Sequence, residues 1–578
     1  MPDEPSKRWV LPAVPLAHSL PGDVPSAIAK VLANRGVTTG EQLRILMDPP
    51  QQLPYNPQRM SGMDQAVARL HQALTKNETV AIFGDFDVDG VTGTAILGEG
   101  LGELGISVLP YLPHRLDEGH GLSGPAVQHL VSQGVTLIIT VDTGVTAVAE
   151  VAEAHRLGAD VIITDHHVPQ PELPAAVATL DPNLPGCSYP FNGLCGAGLA
   201  FKLMQGMYQF LGQPWNPALL ELAALGTIAD LVPLVDENRF LVQQGLIEMS
   251  QTKRPGLLAL FQRARVEVSH LDTEAVSFQI SPRLNSAGRM GHAEDSYRLL
   301  TTRSAAEAEM LAGALDDLNR TRREASDKAL TIAFGQIEQR YAGGDLPPML
   351  FVGDPGIVPG VAGLVAGRLA EAYRRPTVAM SMPASGSAKE DTVVASGRSI
   401  PQFNIEEAFG CAQHRLVKYG GHSQAAGFTV TQENLPQVIR VLSEVAEREL
   451  ADSDLRPALE IDAEVRLSEF TEEAIGWLSN LEPFGKANPR PLFLSQGVEV
   501  LEVRTMGNAS QHVKLSLGQE GKVMTALAFN QAQDWPQGAG HLDIVYSITA
   551  DWWRGVKSDN LKVVDVRPSS RQPRPGGV

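Results

Sequence analysis

The chain is poor in cysteine, since its 578 residues include only Cys187, Cys195 and Cys411. An odd number of cysteines without C-x-x-C spacing argues against a disulfide framework and against a thiolate zinc site. We therefore expect three structural thiols.

The sequence also lacks an unbroken apolar run long enough to cross a membrane. Its first 20 residues carry acidic residues and prolines where a signal peptide would have a basic segment followed by an apolar one. We therefore expect a cytoplasmic protein.

The chain has fewer basic than acidic residues, with 47 Lys and Arg against 66 Asp and Glu, and its net charge is −19. Taken alone, this balance argues against a nucleic-acid partner, since phosphate contacts need a basic surface. The net charge does not exclude such a partner, because an enzyme that binds metal cations needs many carboxylates for that purpose alone. Local basic clusters such as Arg374-Arg375, Arg398 and Arg415 to Lys418 can still form a positive groove.

The length exceeds what one hydrophobic core supports, so we expect several domains. From about residue 79, short β-branched runs alternate with helical stretches, which indicates βαβ units and a parallel sheet. A proline-free stretch with 3-4 spacing of Leu and Ala predicts one long connecting helix, whose apolar seam is interrupted by Arg322. A second α/β unit follows, and then a series of β-type runs that predicts a small barrel or sandwich.

Carboxylates and imidazoles follow several of the apolar runs of the first α/β unit. The residues are Asp85, Asp87, Asp89, Asp142, Asp165, His166, His167 and Asp230. Ligands bind beyond the carboxyl ends of the strands in an open parallel sheet, so we expect these side chains to meet at one edge. A lone aspartate after a strand is more often a helix cap or turn residue, but capping does not explain three aspartates at alternate positions. Their mutual repulsion calls for a cation.

Carboxylate oxygens with one or two imidazole nitrogens suit Mg²⁺ or Mn²⁺. So many ligands can hold two ions, and a two-metal site activates water and stabilises the leaving oxygen in phosphoryl transfer. The pattern therefore predicts hydrolysis of a phosphoester or anhydride. The sequence contains no GxxxxGK[ST] motif, which counts against a nucleotide-driven motor.

The motifs resemble those of the DHH phosphoesterase superfamily: GDFDVDG, TVDTG, TDHH and GTIADLVPL, in this order. Further motifs narrow the resemblance to the RecJ family, bacterial single-strand-specific 5′→3′ DNA exonucleases. They are HRLDEGHGLS, ENR, PRLNSAGRMG, SGRS, YGGHSQAAGF and, at the start of an OB-like domain, LEPFGKANPRP. The similarity extends over nearly the whole chain, to about residue 566.

The resemblance implies a site for two Mn²⁺ or Mg²⁺ ions. The implied metal ligands are Asp85, Asp87, Asp89, Asp142, Asp165, His166 and Asp230, and the implied catalytic residues are Asp87, Asp142, His166, His167 and Asp230. Asp142 would bridge the two ions, and His167 would lie nearer the scissile phosphate. We expect Asp87 and Asp89 to contact metal directly, with Asp85 as a ligand or an orienting group.

The resemblance also implies a substrate-binding set. Arg115, Ser396 and Arg398 match a pocket for the 5′-terminal phosphate, and a guanidinium fork suits that anion better than an ammonium group. Other matching positions would line the strand: Arg283, Asn285, Arg289 and the turn Gly420-Gly421-His422. His120 stands where the family has a tyrosine that can stack a base. An arginine near carboxylates is often a structural ion pair instead, which stays open for Arg289.

The implied architecture is a parallel-sheet α/β domain joined by a long helix to a smaller α/β domain and an OB-like β-barrel. The expected bounds are an N-terminal helical lead at 1–50, the DHH catalytic domain at 51–303, the helix at 304–341, the second α/β domain at 342–452, the OB-like domain at 453–568 and a disordered tail at 569–578. Trp552, Trp553 and Arg554 are candidate DNA contacts of the OB-like domain, or core residues. The extra C-terminal domain of some longer family members is expected to be missing.

The predicted activity is degradation of single-stranded DNA from the 5′ end to mononucleotides, in DNA repair and recombination. The expected partners are a single-strand-binding protein and a RecQ-type helicase, and the expected oligomeric state is a monomer. Two alternatives remain at this point. A DHH-family phosphodiesterase of short oligonucleotides or cyclic dinucleotides would not need an OB-like domain. A non-catalytic single-strand-binding relative would not need intact metal motifs.

Overall fold

A computed structural model describes most of the chain, in two compact units. The described residues are 7–11, 20–47, 54–115, 117–342, 344–383, 392–507, 509–533, 535–536, 538–553 and 556–569. Unit 1 comprises Pro54–Val232 and Asp236–Arg456, and unit 2 comprises the other described residues. The predicted disordered tail, apart from Ser569, lies outside the described residues.

The regular elements alternate between strand and helix through unit 1 and become mainly strands in unit 2. The strands are β1 (Arg8–Val10), β2 (Thr79–Gly84), β3 (Ser107–Tyr111), β4 (Val135–Val141), β5 (Asp160–Thr164), β6 (Ala178–Leu180), β7 (Leu350–Asp354), β8 (Thr377–Ser381), β9 (Thr392–Arg398), β10 (Leu416–His422), β11 (Ala425–Thr431), β12 (Ala458–Glu460), β13 (Ala463–Glu464), β14 (Phe493–Met506), β15 (His512–Gln519), β16 (Lys522–Ala528), β17 (His541–Trp553) and β18 (Val556–Pro568). The α-helices are α1 (Ser26–Asn34), α2 (Gly40–Met47), α3 (Met63–Lys76), α4 (Val88–Glu103), α5 (Gly124–Ser132), α6 (Val148–Arg156), α7 (Gly196–Phe210), α8 (Leu219–Ala229), α9 (Asp236–Ser250), α10 (Pro255–Ala264), α11 (Thr273–Ala275), α12 (Ser281–Met290), α13 (Glu294–Thr301), α14 (Ala305–Arg340), α15 (Pro359–Tyr373), α16 (Ile405–Cys411), α17 (Leu435–Leu450) and α18 (Glu472–Asn480).

The first sheet of unit 1 has the order β3-β2-β4-β5-β6, and all its pairings are parallel. Side chains on both faces of its strands are buried, including Ile82, Ile139 and Ile162. Burial on both faces is the reason these strands read as continuous apolar runs rather than alternating ones. The predicted parallel sheet is confirmed, and its carboxyl ends lie along one edge.

The second sheet of unit 1 has the order β10-β11-β9-β8-β7, in which β7 and β8 are parallel and the other pairings are antiparallel. The prediction of a turn at Gly420-Gly421-His422 is wrong. These residues form the end of β10, where Gly421 pairs with Ala426 and His422 pairs with Ala425. A Cβ atom on Gly421 would lie 2.4 Å from the Cα atom of Ala426, so glycine permits close approach of two strands here.

The long helix α14 joins the two sheets of unit 1. Its 36 residues span about 54 Å at 1.5 Å per residue. The Ser304 side chain caps its first turn by accepting from the Glu307 amide. Its C-terminal half packs Ala329, Ala333 and Ile337 into an apolar core with α15. The predicted long helix between two α/β domains is confirmed.

Unit 2 contains a closed barrel, because β14 pairs with both β15 and β17 while β16 and β18 complete the circuit. This confirms the predicted barrel. The N-terminal segment, predicted as helical, also contains a strand, since β1 pairs in parallel with β12. Helix α1 buries Ile28, Val31 and Leu32 in the same core as the barrel strands. Within the described part of the chain, no helix combines the length and the apolar character needed to span a membrane.

Candidate metal and phosphate site

The carboxylates and imidazoles predicted from the strand ends converge. Three groups each place one ligand atom per residue within 4.8 Å of the others: Asp85 with Asp87 and Asp142, Asp142 with His166 and His167, and Asp89 with His166 and Asp230. Asp142 and His166 each belong to two groups, so the three groups form one continuous cluster.

The loop between β2 and α4 supplies the three alternate aspartates. Asp87 is the N-cap of α4 and accepts hydrogen bonds from the amides of Asp89 and Gly90. Asp89 is buried and accepts from the amides of Gly196, at 2.6 Å, and Ala197, at 2.8 Å. These bonds orient both carboxylates, as capping predicts, and still leave them within the cluster.

Asp142 and His166 come from the ends of β4 and β5. Asp142 adopts a left-handed backbone conformation with φ of 60°, which is uncommon for a residue other than glycine. Nε2 of His166 lies 3.0 Å from Oδ1 of Asp142, 3.7 Å from Oδ2 of Asp230 and 3.9 Å from Oδ2 of Asp89. One imidazole thus faces three carboxylates.

The electrostatics of the cluster favour a cation. Burial, followed by the charges of Asp89, Asp87 and the other aspartates, raises the pKa of Asp142 well above its usual value. Burial and the charges of Asp85 and Asp89 raise the pKa of Asp87 to about 6. Oδ1 of Asp85 is buried and has no hydrogen-bond partner among the described residues. This donor set fits divalent cations with oxygen and imidazole ligands, which would relieve the repulsion.

The two histidines differ in charge. Burial lowers the pKa of His166, so its imidazole is neutral and can serve as a metal ligand. Burial also opposes protonation of His167, but its hydrogen bond to Asp165 and the charges of the surrounding carboxylates raise its pKa to about 9. His167 is therefore an imidazolium at neutral pH, with Nδ1 donating to Oδ1 of Asp165 at 2.7 Å.

Asp165 lies outside the three groups. Its Oδ1 accepts from the amides of His166 and His167 and from the His167 ring, and its Oδ2 accepts from the Val145 amide. Burial opposes its ionisation, but the bond and charge of His167 hold its pKa below the usual value. Because both oxygens are engaged by protein donors, the geometry favours a positioning group over a ligand.

Three arginines lie close to this cluster in unit 1. Arg115 lies over the Phe86 ring at 5.0 Å, and the charges of Asp85 and Asp87 act on it. Nη1 of Arg398 donates to Oγ of Ser396 at 3.4 Å and to the Gly397 carbonyl at 2.8 Å. Burial and the charges of three neighbouring arginines lower the pKa of Arg289 to about 10. Among the described residues, none of the three guanidinium groups has a carboxylate within 4.0 Å.

Other predicted substrate residues have structural partners. Arg283 forms an ion pair with Asp316 at 2.8 Å, so the structure does not bring it to the cluster. Oδ1 of Asn285 accepts from the Val88 amide, which fixes the start of α4. His120 is exposed, with its ring 4.3 Å from that of Phe86 and Nδ1 3.4 Å from Asp85.

The second sheet adds one ring to the cluster. His422 stacks on His167 with ring centroids 5.3 Å apart and an interplanar angle of 11°. The preceding Gly420 and Gly421 pair with β11, so they do not form the expected turn. His422 is therefore the member of this segment that the structure brings together with the carboxylates.

Several residues near the site were not predicted from the sequence. Asp181 follows β6 directly and is fully buried, and the neighbouring Asn183 donates to the His166 carbonyl at 2.8 Å. Asp181 could have been predicted in the same way as the other aspartates, because it directly follows β6, the last strand of the first sheet. A Cβ atom on Gly363 would lie 2.9 Å from Nη2 of Arg398 and 3.0 Å from Oγ of Ser396. No sequence signal marks that contact.

In unit 2, the predicted DNA contact Arg554 lies outside the described residues, as do the side chains of Trp552 and Trp553.

Family models match three parts of the chain. They are the DHH family N-terminal domain at residues 79–227, the DHHA1 domain at 347–448 and the RecJ OB domain at 461–565. Among curated relatives, the single-stranded-DNA-specific exonuclease RecJ of Bacillus subtilis is 36% identical over 94% of this chain and 68% of its own length. RecJ of Escherichia coli is 33% identical over 95% of this chain and 97% of its own length.

Solved structures agree with this assignment. RecJ of Thermus thermophilus in complex with Mn²⁺ matches with a TM-score of 0.83 and 30% identity, covering 98% of this chain and 80% of that one. The Mg²⁺ complex from the same organism matches with a TM-score of 0.77 and 28% identity, covering 98% and 79%. By fold, motifs and sequence identity, this chain belongs to the RecJ family of single-stranded-DNA-specific exonucleases.

Proposed function

We propose that this chain is a metal-dependent exonuclease that degrades single-stranded DNA from the 5′ end to mononucleotides, in DNA repair and recombination. One observation carries the proposal. A carboxylate and imidazole cluster suited to divalent cations lies beside arginines whose guanidinium groups have no carboxylate partner among the described residues. Cations next to unpaired guanidinium groups are suited to a phosphate substrate.

The metal-binding residues would divide into two overlapping sets. Asp85, Asp87 and Asp142 would hold one Mn²⁺ or Mg²⁺ ion, and Asp89, His166 and Asp230 would hold the other, with Asp142 shared. Two bound ions would activate water and stabilise the leaving oxygen in phosphodiester hydrolysis. Asp165 would act as a positioning residue, because its oxygens hold the backbone and ring of the two histidines.

The residues around the cluster would orient the substrate. The His167 imidazolium would donate from Nε2 to a phosphate oxygen, since Nδ1 is held by Asp165. Arg115, Ser396 and Arg398 would bind the 5′-terminal phosphate, and Arg289 would contact the strand between that pocket and the metal site. A bound anion would relieve the repulsion between these buried guanidinium groups.

The OB-like barrel would bind downstream DNA by stacking and phosphate contacts. A single-strand-binding protein and a RecQ-type helicase would supply and present the strand, with the enzyme acting as a monomer in the cytoplasm. Arg283 is not proposed as a substrate contact, because Asp316 already neutralises it.

The test is a time course with Mn²⁺ on a 3′-labelled single strand, with and without a 5′ phosphate, beside a dinucleotide. We expect stepwise shortening from the 5′ end, faster with the 5′ phosphate, and no cutting of a matched duplex. A strong preference for the dinucleotide would instead identify a short-substrate phosphodiesterase. Binding without turnover in Mn²⁺ or Mg²⁺ would identify a non-catalytic relative.

A further inference from the structure

The buried face of α14 changes from apolar to polar at its centre. Its apolar buried positions before and after the centre are Ala308, Leu311, Ala312, Leu315, Ala329, Ala333 and Ile337. Between them, at the same three- and four-residue spacing, lie Asn319, Arg322 and Ser326. We call these three residues the polar stripe. It extends from Asn319 to Ser326, seven steps of helical rise or about 10 Å along the helix.

Each member of the polar stripe has a buried polar atom with no hydrogen-bond partner among the described residues. The atoms are Oδ1 of Asn319, Nε of Arg322 and Oγ of Ser326. Asn319 is only 2% exposed. A buried polar atom without a partner costs about 1–3 kcal/mol, so three on one face are unexpected for a helix that serves only as a connector.

The polar stripe lies where α14 passes from the first α/β domain to the second. On one side, the Ser286 hydroxyl of α12 lies 3.1 Å from the Leu315 carbonyl, and Leu318 packs against Gly291. On the other side, Ile332 packs against Gly356, which precedes α15. The stripe therefore occupies the stretch of helix between its contacts with the two domains.

The charge of Arg322 also acts on an arginine near the carboxylate and imidazole cluster. The charges of Arg115, Arg322 and Arg398 all act on Arg289, in addition to its burial. Nη1 of Arg289 contacts the Gly360 carbonyl at 3.4 Å, so its guanidinium lies between α12 and α15. Among the described residues, Arg322 thus joins Arg115, Arg289 and Arg398 as an arginine with no carboxylate within 4.0 Å. Four neighbouring arginines carry more charge than one terminal phosphate neutralises.

We propose that the polar stripe, centred on Arg322, is a second phosphate subsite for the substrate strand, distinct from the pocket of Arg115, Ser396 and Arg398. The Arg322 guanidinium and the Ser326 hydroxyl supply its donors. The phosphate comes either from the next internucleotide linkage or from the outer phosphates of a 5′-triphosphate end. This inference rests on the proposed exonuclease function, since it assigns a further contact to the same substrate.

The experiment measures the salt dependence of single-strand binding in EDTA, where no cleavage occurs. Loss of one phosphate contact lowers the slope of log K against log salt concentration by about 0.7 for a single strand. We expect this change in Arg322→Gln. The matched control is Arg323→Gln, which removes the same charge from the next, exposed residue and should keep the wild-type slope. Arg322→Lys retains a charge and should keep most of the slope.

Three oligonucleotides, with 5′-hydroxyl, 5′-phosphate and 5′-triphosphate ends, distinguish the two phosphate sources. An equal effect of Arg322→Gln on all three supports an internucleotide phosphate. An effect confined to the triphosphate supports an outer phosphate. If Arg322→Gln matches Arg323→Gln on all three strands, or Arg322→Lys loses as much as Arg322→Gln, the subsite is refuted. Wild-type cleavage in Mn²⁺ is scored separately, so failure of the subsite leaves the exonuclease proposal standing.

Discussion

His167 and His422 stack face to face across the two sheets of unit 1, with ring centroids 5.3 Å apart. His167 lies in the loop that follows β5 of the first sheet, directly after Asp165 and His166. His422 is the last residue of β10, an edge strand of the second sheet. The contact couples the two α/β domains at the candidate site. Through this contact, the second domain can orient the His167 ring beside the carboxylate and imidazole cluster.

Replacing His422 tests this coupling. Aromatic pairs contribute about 0.5–1.5 kcal/mol, so His422→Ala should lower kcat about 2- to 10-fold. His422→Phe preserves a stacking face and should retain most of the activity. Thermal stabilisation by Mn²⁺ should be unchanged in both variants, because His422 is not in the metal cluster. His414→Ala, an exposed histidine in the same domain, should be neutral. Equal activity of His422→Ala and wild type would show that the stacking has no role in turnover.

Asp142→Asn tests the shared ligand of the proposed two-ion site. We expect a fall in kcat of about 1,000-fold or more, because both ions would lose one ligand. The second measurement is the unfolding temperature with and without Mn²⁺. A ligand at 100 times its Kd stabilises a protein by about 2.7 kcal/mol, and the variant should lose most of that increase. Asp452→Asn, at an exposed aspartate, is the control. Full cleavage and an unchanged Mn²⁺ shift in Asp142→Asn would contradict the two-ion proposal.

Gly363→Ala tests the 5′-phosphate pocket without removing any of its donors. The added methyl group would lie 2.9 Å from Nη2 of Arg398 and 3.0 Å from Oγ of Ser396. The methyl group would displace the end of the flexible Arg398 side chain from its position, so the rate advantage of a 5′-phosphorylated strand over a 5′-hydroxyl strand should fall about tenfold. The rate on the 5′-hydroxyl strand should change much less.

The control for that substitution is Gly335→Ala, on an exposed turn of α14, where the added Cβ would meet no described atom within 4 Å beyond the neighbouring backbone of its own helix. It should leave end preference unchanged and raise stability by about 0.5–1 kcal/mol through helix propensity. An unchanged end preference in Gly363→Ala would place the 5′-phosphate contact elsewhere.

Asp181→Asn tests the buried carboxyl that the sequence analysis missed. Burial is the main cause that raises the pKa of Asp181 from 3.8 to about 7. The folded protein therefore binds this proton more tightly than the unfolded chain does. The stability from this group is fully present below about pH 3.8 and is lost as the pH rises through about 7.

The measurement is the free energy of unfolding against pH, in EDTA so that no metal ion perturbs the carboxylates. Asp181→Asn imitates the protonated form at every pH. The two proteins should therefore be similar near pH 4, and above pH 7 the variant should be more stable by up to about 4 kcal/mol. Asp452→Asn, at an exposed aspartate, is the matched control. A constant difference across the pH range would mean that Asp181 does not change protonation between the folded and unfolded states.

The carboxylate cluster could be predicted because it depends on local pattern and one topological rule. Asp85, Asp142, His166 and Asp230 follow or cap elements whose apolar runs are readable in the sequence, and parallel strands bring such ends together. The role of each arginine was harder to predict from the sequence. Arg283 and Arg289 lie on the same short helix, but Asp316 pairs with Arg283, while Arg289 has no carboxylate within 4.0 Å in the described part of the chain. The two arginines differ because Arg283 contacts Asp316, a residue 33 positions further along the chain.

Two local patterns had meanings that only distant contacts could settle. Gly420 and Gly421 read as a turn, yet pairing with β11 makes them part of a strand. Arg322 read as an interruption of an apolar seam, and its place among buried polar atoms is visible only once α14 is packed between two domains. Neither outcome is encoded in a window of neighbouring residues.

The sequence by itself determined the class of each domain, the long helix and the residue types of the metal cluster, because periodicity and strand-end chemistry are local properties. Tertiary structure alone decided which arginines pair with a carboxylate, how the rings of His422 and His167 stack, and where Gly363 leaves room beside Arg398. These features depend on distances between residues far apart in the chain, which packing of the two domains sets and no local pattern records.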